Sequence, residues 1–197
     1  DADPWAPTEA VVTPLPGGGW ADDVLAGIGR FAALAVGPGL GTSPGAAAEV
    51  RRLVAAAPVP VVVDGDGLRA LGADAAGVIA DRPTGAPAVV LTPHDGEHEA
   101  LTGGPPDADR FDAVRRLAAD TGAVVLLKGH TTLVGRPDGH VWASRSGDAR
   151  LATAGTGDVL TGVLAALCAQ GMEPDEAAAA SAYLHGRAGA LAWRRGL

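Results

Sequence analysis

Short aliphatic runs recur along this chain from about residue 32, each closed by Gly, Asp or Pro and each separated from the next by an amphipathic stretch. The runs at residues 32–36, 59–63, 88–92 and 124–127 are apolar almost without interruption. Strands buried on both faces of a parallel sheet read this way. Between them, residues 44–57, 67–71, 96–101 and 109–121 predict helices. In the last of these Phe111, Val114, Leu117 and Ala118 fall on one stripe, with Arg115 and Arg116 pointing away. The alternation predicts an α/β fold with a mostly parallel central sheet.

A hairpin interrupts the alternation: residues 131–134 and 140–144 flank a turn built on Pro137-Asp138-Gly139. Two long helices follow, at 157–170 and 174–193. Gly171 suits the end of the first. Pro174 suits the start of the second, where Asp175 and Glu176 meet the positive end of the helix dipole. Residues 1–31 are read as a poorly defined leading segment, with a Val-Val-Thr run at 11–13 and breakers from Pro14 to Gly19. No internal repeat or linker divides the chain, so residues 1–197 are taken as one domain.

Composition sharpens this picture in three respects. Hydrophobic residues make up 47% and charged residues 19%, which is globular, and aromatics only 4%, so the core must be aliphatic. A net charge of −8 argues against nucleic acid or an anionic membrane as partner. It leaves room for a small anion held by backbone N–H groups. One cysteine, Cys168, allows no disulfide and no cysteine metal site, and its apolar surroundings predict a buried small hydrophobe. No run reaches the roughly 18 apolar residues of a membrane span, and the acidic, Pro-rich start is unlike a signal peptide. The expected setting is the cytoplasm. The only methionine is Met172, so residue 1 is read as an internal position of a longer product.

Candidate chemistry collects where the predicted strands end. Gly37-Pro38-Gly39-Leu40-Gly41, Asp64-Gly65-Asp66, Thr92-Pro93-His94-Asp95-Gly96-Glu97 and Lys128-Gly129-His130-Thr131-Thr132 follow four strands in turn. Open α/β sheets bind ligands at the carboxyl ends of strands, beside a reversal of strand order, and such a reversal is expected here. The strongest signal is Ala154-Gly155-Thr156-Gly157-Asp158, which opens an apolar helix. Its glycines permit positive φ and close ligand approach. The free N–H groups and dipole of the helix make an anion hole for a phosphoryl group in transfer. Asp158, in the first turn and expected in a dry pocket, has the chemistry of a general base. Capping by Thr156 or Asp158 is the plainer alternative. By their local pattern alone His94 reads as a turn residue that bonds its own backbone, and Glu97 as a cap of the helix after Pro93. Asp64 and Asp66 read first as turn formers, and His185, within a helix, as structural.

These segments occur in order, together with Tyr183-Leu184-His185-Gly186, and in that order the chain resembles the ADP- or ATP-dependent NAD(P)H-hydrate dehydratases of the ribokinase-like superfamily. The resemblance runs from about residue 32 to 193 and implies a ribokinase-like three-layer fold, incomplete at the N-terminus and lacking a last helix. It implies that ADP or ATP phosphorylates the hydroxyl of hydrated NADH or NADPH and that phosphate then leaves, restoring the cofactor. On that resemblance Asp158 would be the base, and Gly155, Thr156 and Gly157 the anion hole. Lys128, Gly129, His130, Thr131 and Thr132, with Gly157, would bind the nucleotide. Gly39, His94 and Asp158 would contact the hydrated dinucleotide, and Glu97 would organise Mg²⁺ through water. A homo-oligomer and an epimerase domain, fused or separate, are also implied.

Two departures stand out: Asp95 replaces the family's usual proline, and His130 adds bulk beside the nucleotide. A vitamin-precursor kinase of the same superfamily and a non-catalytic nucleotide-binding fragment are the alternatives. A dehydrogenase is disfavoured, because the glycines at 37, 39 and 41 lack the dinucleotide fingerprint spacing.

Overall fold

The structure, a computed structural model, describes residues 11–147 and 149–194. Six strands form one sheet in the order β1-β2-β3-β4-β5-β6. Strands β1 (Leu34–Val36), β2 (Val61–Val63), β3 (Val89–Leu91) and β4 (Val124–Leu127) run parallel. Strands β5 (Thr132–Gly135) and β6 (Val141–Ser144) add an antiparallel hairpin at one edge. Its turn closes with Arg136 N–H donating to the His140 carbonyl at 2.9 Å and with Gly139 at φ +87°.

One helical layer holds α1 (Trp20–Gly27), α2 (Pro44–Ala56), α3 (Asp66–Leu71), α4 (Ala75–Ala80), α5 (Asp95–Thr102) and α6 (Arg110–Thr121). The opposite layer holds α7 (Thr156–Ala169) and α8 (Pro174–Arg194). The strand pleat divides the core between the two layers. Val61, Val63, Leu91, Val125 and Leu127 pack with the first layer, whereas Val62, Val90, Leu126 and Val134 pack with α7 and α8. Successive side chains point to opposite faces, and both faces are covered, so the strands carry no polar alternation. This is the three-layer ribokinase-like α/β arrangement expected from the sequence.

The structure adds to or departs from the sequence reading at four points. Strand order is sequential among the described strands, so no reversal marks the site. Right-handed crossovers between neighbouring strands place their helices on one face. The site forms instead where the parallel strands end beneath α7. Second, the leading segment contains α1, whose buried Trp20 and Ala21 pack on α2, with Ala21 N–H donating to Glu49 at 2.8 Å. Its N-cap is Gly19 with no side-chain cap, so the usual start signal is missing. The expectations for residues 1–10 lie outside the described residues. Third, α4 is a six-residue, alanine-rich helix too short to show a period. Fourth, Phe111 is 42% exposed and sits under Arg115 at 5.9 Å, while Ala113, Val114, Leu117 and Ala118 form the buried face of α6. Cys168 is buried as expected, and Gly171 ends α7 at φ +85°. Among the described residues no helix is long and apolar enough to cross a membrane.

Candidate active site

The carboxyl ends of the parallel strands meet the N-terminus of α7, and the residues at each end explain why. After β1 the chain turns at Gly37 (φ +130°), pressed against the carbonyl of Asp64; a Cβ there would lie 1.7 Å from that oxygen. The following loop is tied to the β2 end by Gly41 N–H donating to Asp66 Oδ2 at 2.9 Å. Gly39 lies exposed on this loop with open space around its Cα.

Asp64, directly after β2, is the centre of the polar interior. It is 2% exposed. Lys128 Nζ, from the end of β4, donates to its Oδ1 at 2.7 Å, and Thr161 Oγ1, from α7, donates to its Oδ2 at 2.7 Å. Burial pushes the Asp64 carboxyl up. The Lys128 ammonium, with hydrogen bonds from Lys128 and Thr161, outweighs burial and holds it below the ordinary aspartate value. A depressed carboxylate stabilises the fold above the unfolded value of about 3.9, and that stability is lost as pH falls through the lower folded value. Unfolding midpoints measured from about pH 6 down to about pH 2 should therefore lose part of their acid slope in Asp64→Asn. An unchanged slope would show that this carboxylate is not depressed.

Lys128 has a second carboxylate, Glu97 Oε2, at 3.4 Å. Glu97 and His94 form a capping box at the start of α5. His94 Nδ1 accepts from the N–H groups of Gly96 (3.0 Å) and Glu97 (3.2 Å), and Glu97 Oε2 accepts from His94 N–H (2.9 Å). Both alternatives left open by the sequence are thus met in their capping form. The Nδ1 of His94 is occupied by the cap, and its Nε2 lies 3.4 Å from Glu97 Oε1, so both ring nitrogens face partners within the capping box. Asp95, the departure from the family pattern, pairs with Arg110 at 2.7 Å, and Arg110 donates to the carbonyl of Lys128 at 2.8 Å. This clamp fixes the backbone of the Lys128-Gly129 turn.

A cavity of about 710 Å³ opens between the β4–β5 turn, the loop before α7 and α8. Of the residues singled out in the sequence, it is lined by His94, Lys128, Gly129, His130, Thr132, Thr156 and Gly157. The loop is braced from within: Thr156 Oγ1 donates to the Thr153 carbonyl at 2.7 Å. Gly157 leaves the helix start bare beside the cation, since a Cβ there would lie 3.6 Å from Lys128 Nζ. Gly155, Thr131, Glu97, Gly39 and Asp158 are not among the lining residues.

Asp158 is exposed and forms no hydrogen bond or ion pair with the described residues. The dry pocket expected for it is corrected. The face of α7 turned to the sheet carries Leu160, Thr161, Leu164 and Cys168, and Asp158 lies off that face.

Thr161 has no site role in the sequence reading, Asp64 reads there first as a turn former, and His185 as structural. Thr161 carried a usable signal, a hydroxyl on the buried stripe of an apolar helix. His185 lines the cavity from α8; burial lowers its imidazole pKa, opposed by a backbone hydrogen bond with Thr156.

Residues 6–196 match the Carb_kinase family, described as NAD(P)H-hydrate dehydratase. The chain is 41% identical over 177 residues to the bifunctional NAD(P)H-hydrate repair enzyme Nnr of Moorella thermoacetica, covering 88% of this chain and 33% of that protein. It is 44% identical over 157 residues to the ADP-dependent (S)-NAD(P)H-hydrate dehydratase of Neisseria meningitidis serogroup B, covering 78% of this chain and 52% of the relative. The chain thus spans about a third to a half of the length of these relatives. In three dimensions it is similar to the ADP/ATP-dependent NAD(P)H-hydrate dehydratase of Bacillus subtilis, co-crystallised with ATP/Mg²⁺ and soaked with CoA. The TM-score is 0.70 at 32% identity, over 83% of this chain and 58% of that one.

Proposed function

This chain belongs to the NAD(P)H-hydrate dehydratase family, and from that premise we propose that it carries out nucleotide-dependent dehydration of hydrated NADH and NADPH. The observation that carries the reading is the meeting of the bare α7 N-terminus with the Lys128 ammonium at one wall of a nucleotide-sized cavity. An ammonium has three donors. Asp64 accepts one and Glu97 lies 3.4 Å away as an ionic neighbour, which leaves donor capacity for a phosphate oxygen. The free N–H groups of the first turn of α7 neutralise charge on the transferring phosphoryl group. Lys128, Gly129, His130, Thr131 and Thr132 form the nucleotide side of the site. Gly39 and His94 form the dinucleotide side.

Asp158 takes the proton of the ring hydroxyl as that oxygen attacks the terminal phosphorus of ADP or ATP. The bond to the leaving nucleotide breaks. The ring C–O bond then breaks, releasing phosphate, and loss of a neighbouring ring proton restores the double bond. The products are NADH or NADPH, inorganic phosphate and the nucleotide shortened by one phosphoryl group.

Among the described residues no three His, Cys, Asp or Glu side chains cluster to hold a metal. Asp64 and Glu97 are both engaged by Lys128. This donor set fits a Mg²⁺ carried by the nucleotide phosphates, with Glu97 as its water-mediated neighbour, and does not fit a resident ion. When bound, Mg²⁺ supplies charge neutralisation at the phosphates. The name of the Moorella relative, bifunctional, supports an epimerase working beside this chain.

The test is to mix the protein with hydrated NADH, Mg²⁺ and either ADP or ATP and to follow the dihydronicotinamide absorbance. A rise that depends on nucleotide is expected, and it identifies the phosphoryl donor. Nucleotide binding without any rise would replace this reading with that of a non-catalytic nucleotide-binding module.

A further inference from the structure

The sequence treats Asp64 as a turn residue, and the dehydration chemistry gives it no step. Its backbone does open a turn, with its carbonyl accepting from Gly67 N–H at 3.0 Å, but its carboxylate is not solvated as a turn residue's would be. It is almost fully buried, and a buried charge is costly unless paired and hydrogen-bonded. Here it is satisfied by groups from two other elements: the Lys128 ammonium at the end of β4 and the Thr161 hydroxyl one turn into α7. Thr92, directly after β3, lies beside this group with its hydroxyl donating to the Val63 carbonyl at 3.1 Å. Each carboxylate oxygen has a different partner, Oδ1 the lysine and Oδ2 the helix. A single rigid group therefore sets the distance between the cation and the helix N-terminus, the two elements that face a phosphoryl group.

We propose that Asp64 is the positioning residue of the phosphoryl-transfer site, locking Lys128 and α7 into one frame through its two carboxylate oxygens. The inference rests on the nucleotide-site reading above. It accounts for Thr161, a buried hydroxyl on an otherwise apolar helix face. Gly157, at the start of α7, lies directly against the same pair: a Cβ there would touch Asp64 Oδ2 at 3.8 Å and Lys128 Nζ at 3.6 Å. Preorganisation of charge that acts in the transition state raises kcat, whereas ground-state attraction of phosphate by a lysine persists without it. The signature of this role is a split between turnover and binding.

The experiment compares Asp64→Asn, Thr161→Val and the double variant by kcat and by nucleotide affinity, using ADP and ATP in titration calorimetry. Asp64→Asn should lower kcat by about 30-fold or more while nucleotide Kd moves by less than about three-fold. Thr161→Val keeps the ion pair and should lower kcat by about three- to ten-fold. The double variant should be no slower than Asp64→Asn, because both changes act through one carboxylate. A purely structural role predicts additive losses, with affinity falling alongside kcat, and that result would overturn the proposal. So would an Asp64→Asn enzyme within about three-fold of wild-type kcat. If Asp64→Asn fails to fold, the Thr161→Val variant decides alone: loss of kcat at unchanged Kd supports the lock, and unchanged kcat rejects it. A wild-type protein that turns over but whose variants show no such split loses this inference only. A wild-type protein that binds neither nucleotide loses the site reading as well.

Discussion

Asp158→Asn is expected to lower the dehydration rate by about 10²- to 10⁴-fold, the usual contribution of a positioned general base. Nucleotide affinity should stay within about two-fold of wild type. Asp158 is exposed in the first turn of α7 and has no hydrogen-bonding or ionic partner among the described residues. Removing its charge therefore breaks no packing and leaves no buried group unpaired. The cost to the fold is limited to its favourable interaction with the helix dipole, about 0.3–1 kcal/mol. That is too small to explain a hundred-fold loss of rate through unfolding. Asparagine keeps the size and shape but cannot accept the hydroxyl proton. Single-turnover measurements with saturating nucleotide separate the chemical step from binding. Wild-type rates in this variant would remove Asp158 from the role of base.

Gly37→Ala should be the most damaging single change to the fold near the site, costing about 3 kcal/mol or more of unfolding free energy. Two effects add. At φ +130° an L-residue is strained whatever the space around it. The new Cβ would also lie 1.7 Å from the Asp64 carbonyl, so the backbones must separate. That carbonyl accepts the Gly67 N–H at 3.0 Å at the start of α3. Any shift therefore spreads into α3 and into the Asp64 side chain that holds Lys128. Activity should fall with stability. Gly39→Ala is the matched control: φ is +70° but nothing lies within 4 Å, so only conformational strain acts there, about 1–2 kcal/mol. Urea unfolding of both variants measures the difference. A loss below about 1 kcal/mol at Gly37 would show that the close approach relaxes easily.

How much of the site the sequence reveals depends on the kind of signal each residue leaves. Gly155 to Asp158 are legible because glycines before an apolar helix are a local pattern, and the structure places them at a helix start. Lys128 is legible as a cation closing a buried strand. His94 and Glu97 each carry two readings in the sequence, and the capping box is one of them. Asp64 is not legible, because its meaning lies in Lys128, 64 residues away, and in Thr161, 97 residues away. Asp95 is an unexplained departure in the sequence, and only the fold shows Arg110 bridging it to the Lys128 carbonyl.

The sequence by itself determined the elements: four apolar strands, a hairpin, two closing helices and the polar turns between them. Period, breaker residues and burial on both faces are properties of short segments, and they need no knowledge of what lies across the sheet. The tertiary structure alone decided the sequential strand order, the placing of α7 and α8 on the face opposite α1 to α6, the exposure of Asp158 and the burial of Asp64. These depend on which element covers which. A carboxylate at a strand end is a solvated turn residue or the buried centre of a site according to whether a lysine and a helix from distant parts of the chain close over it.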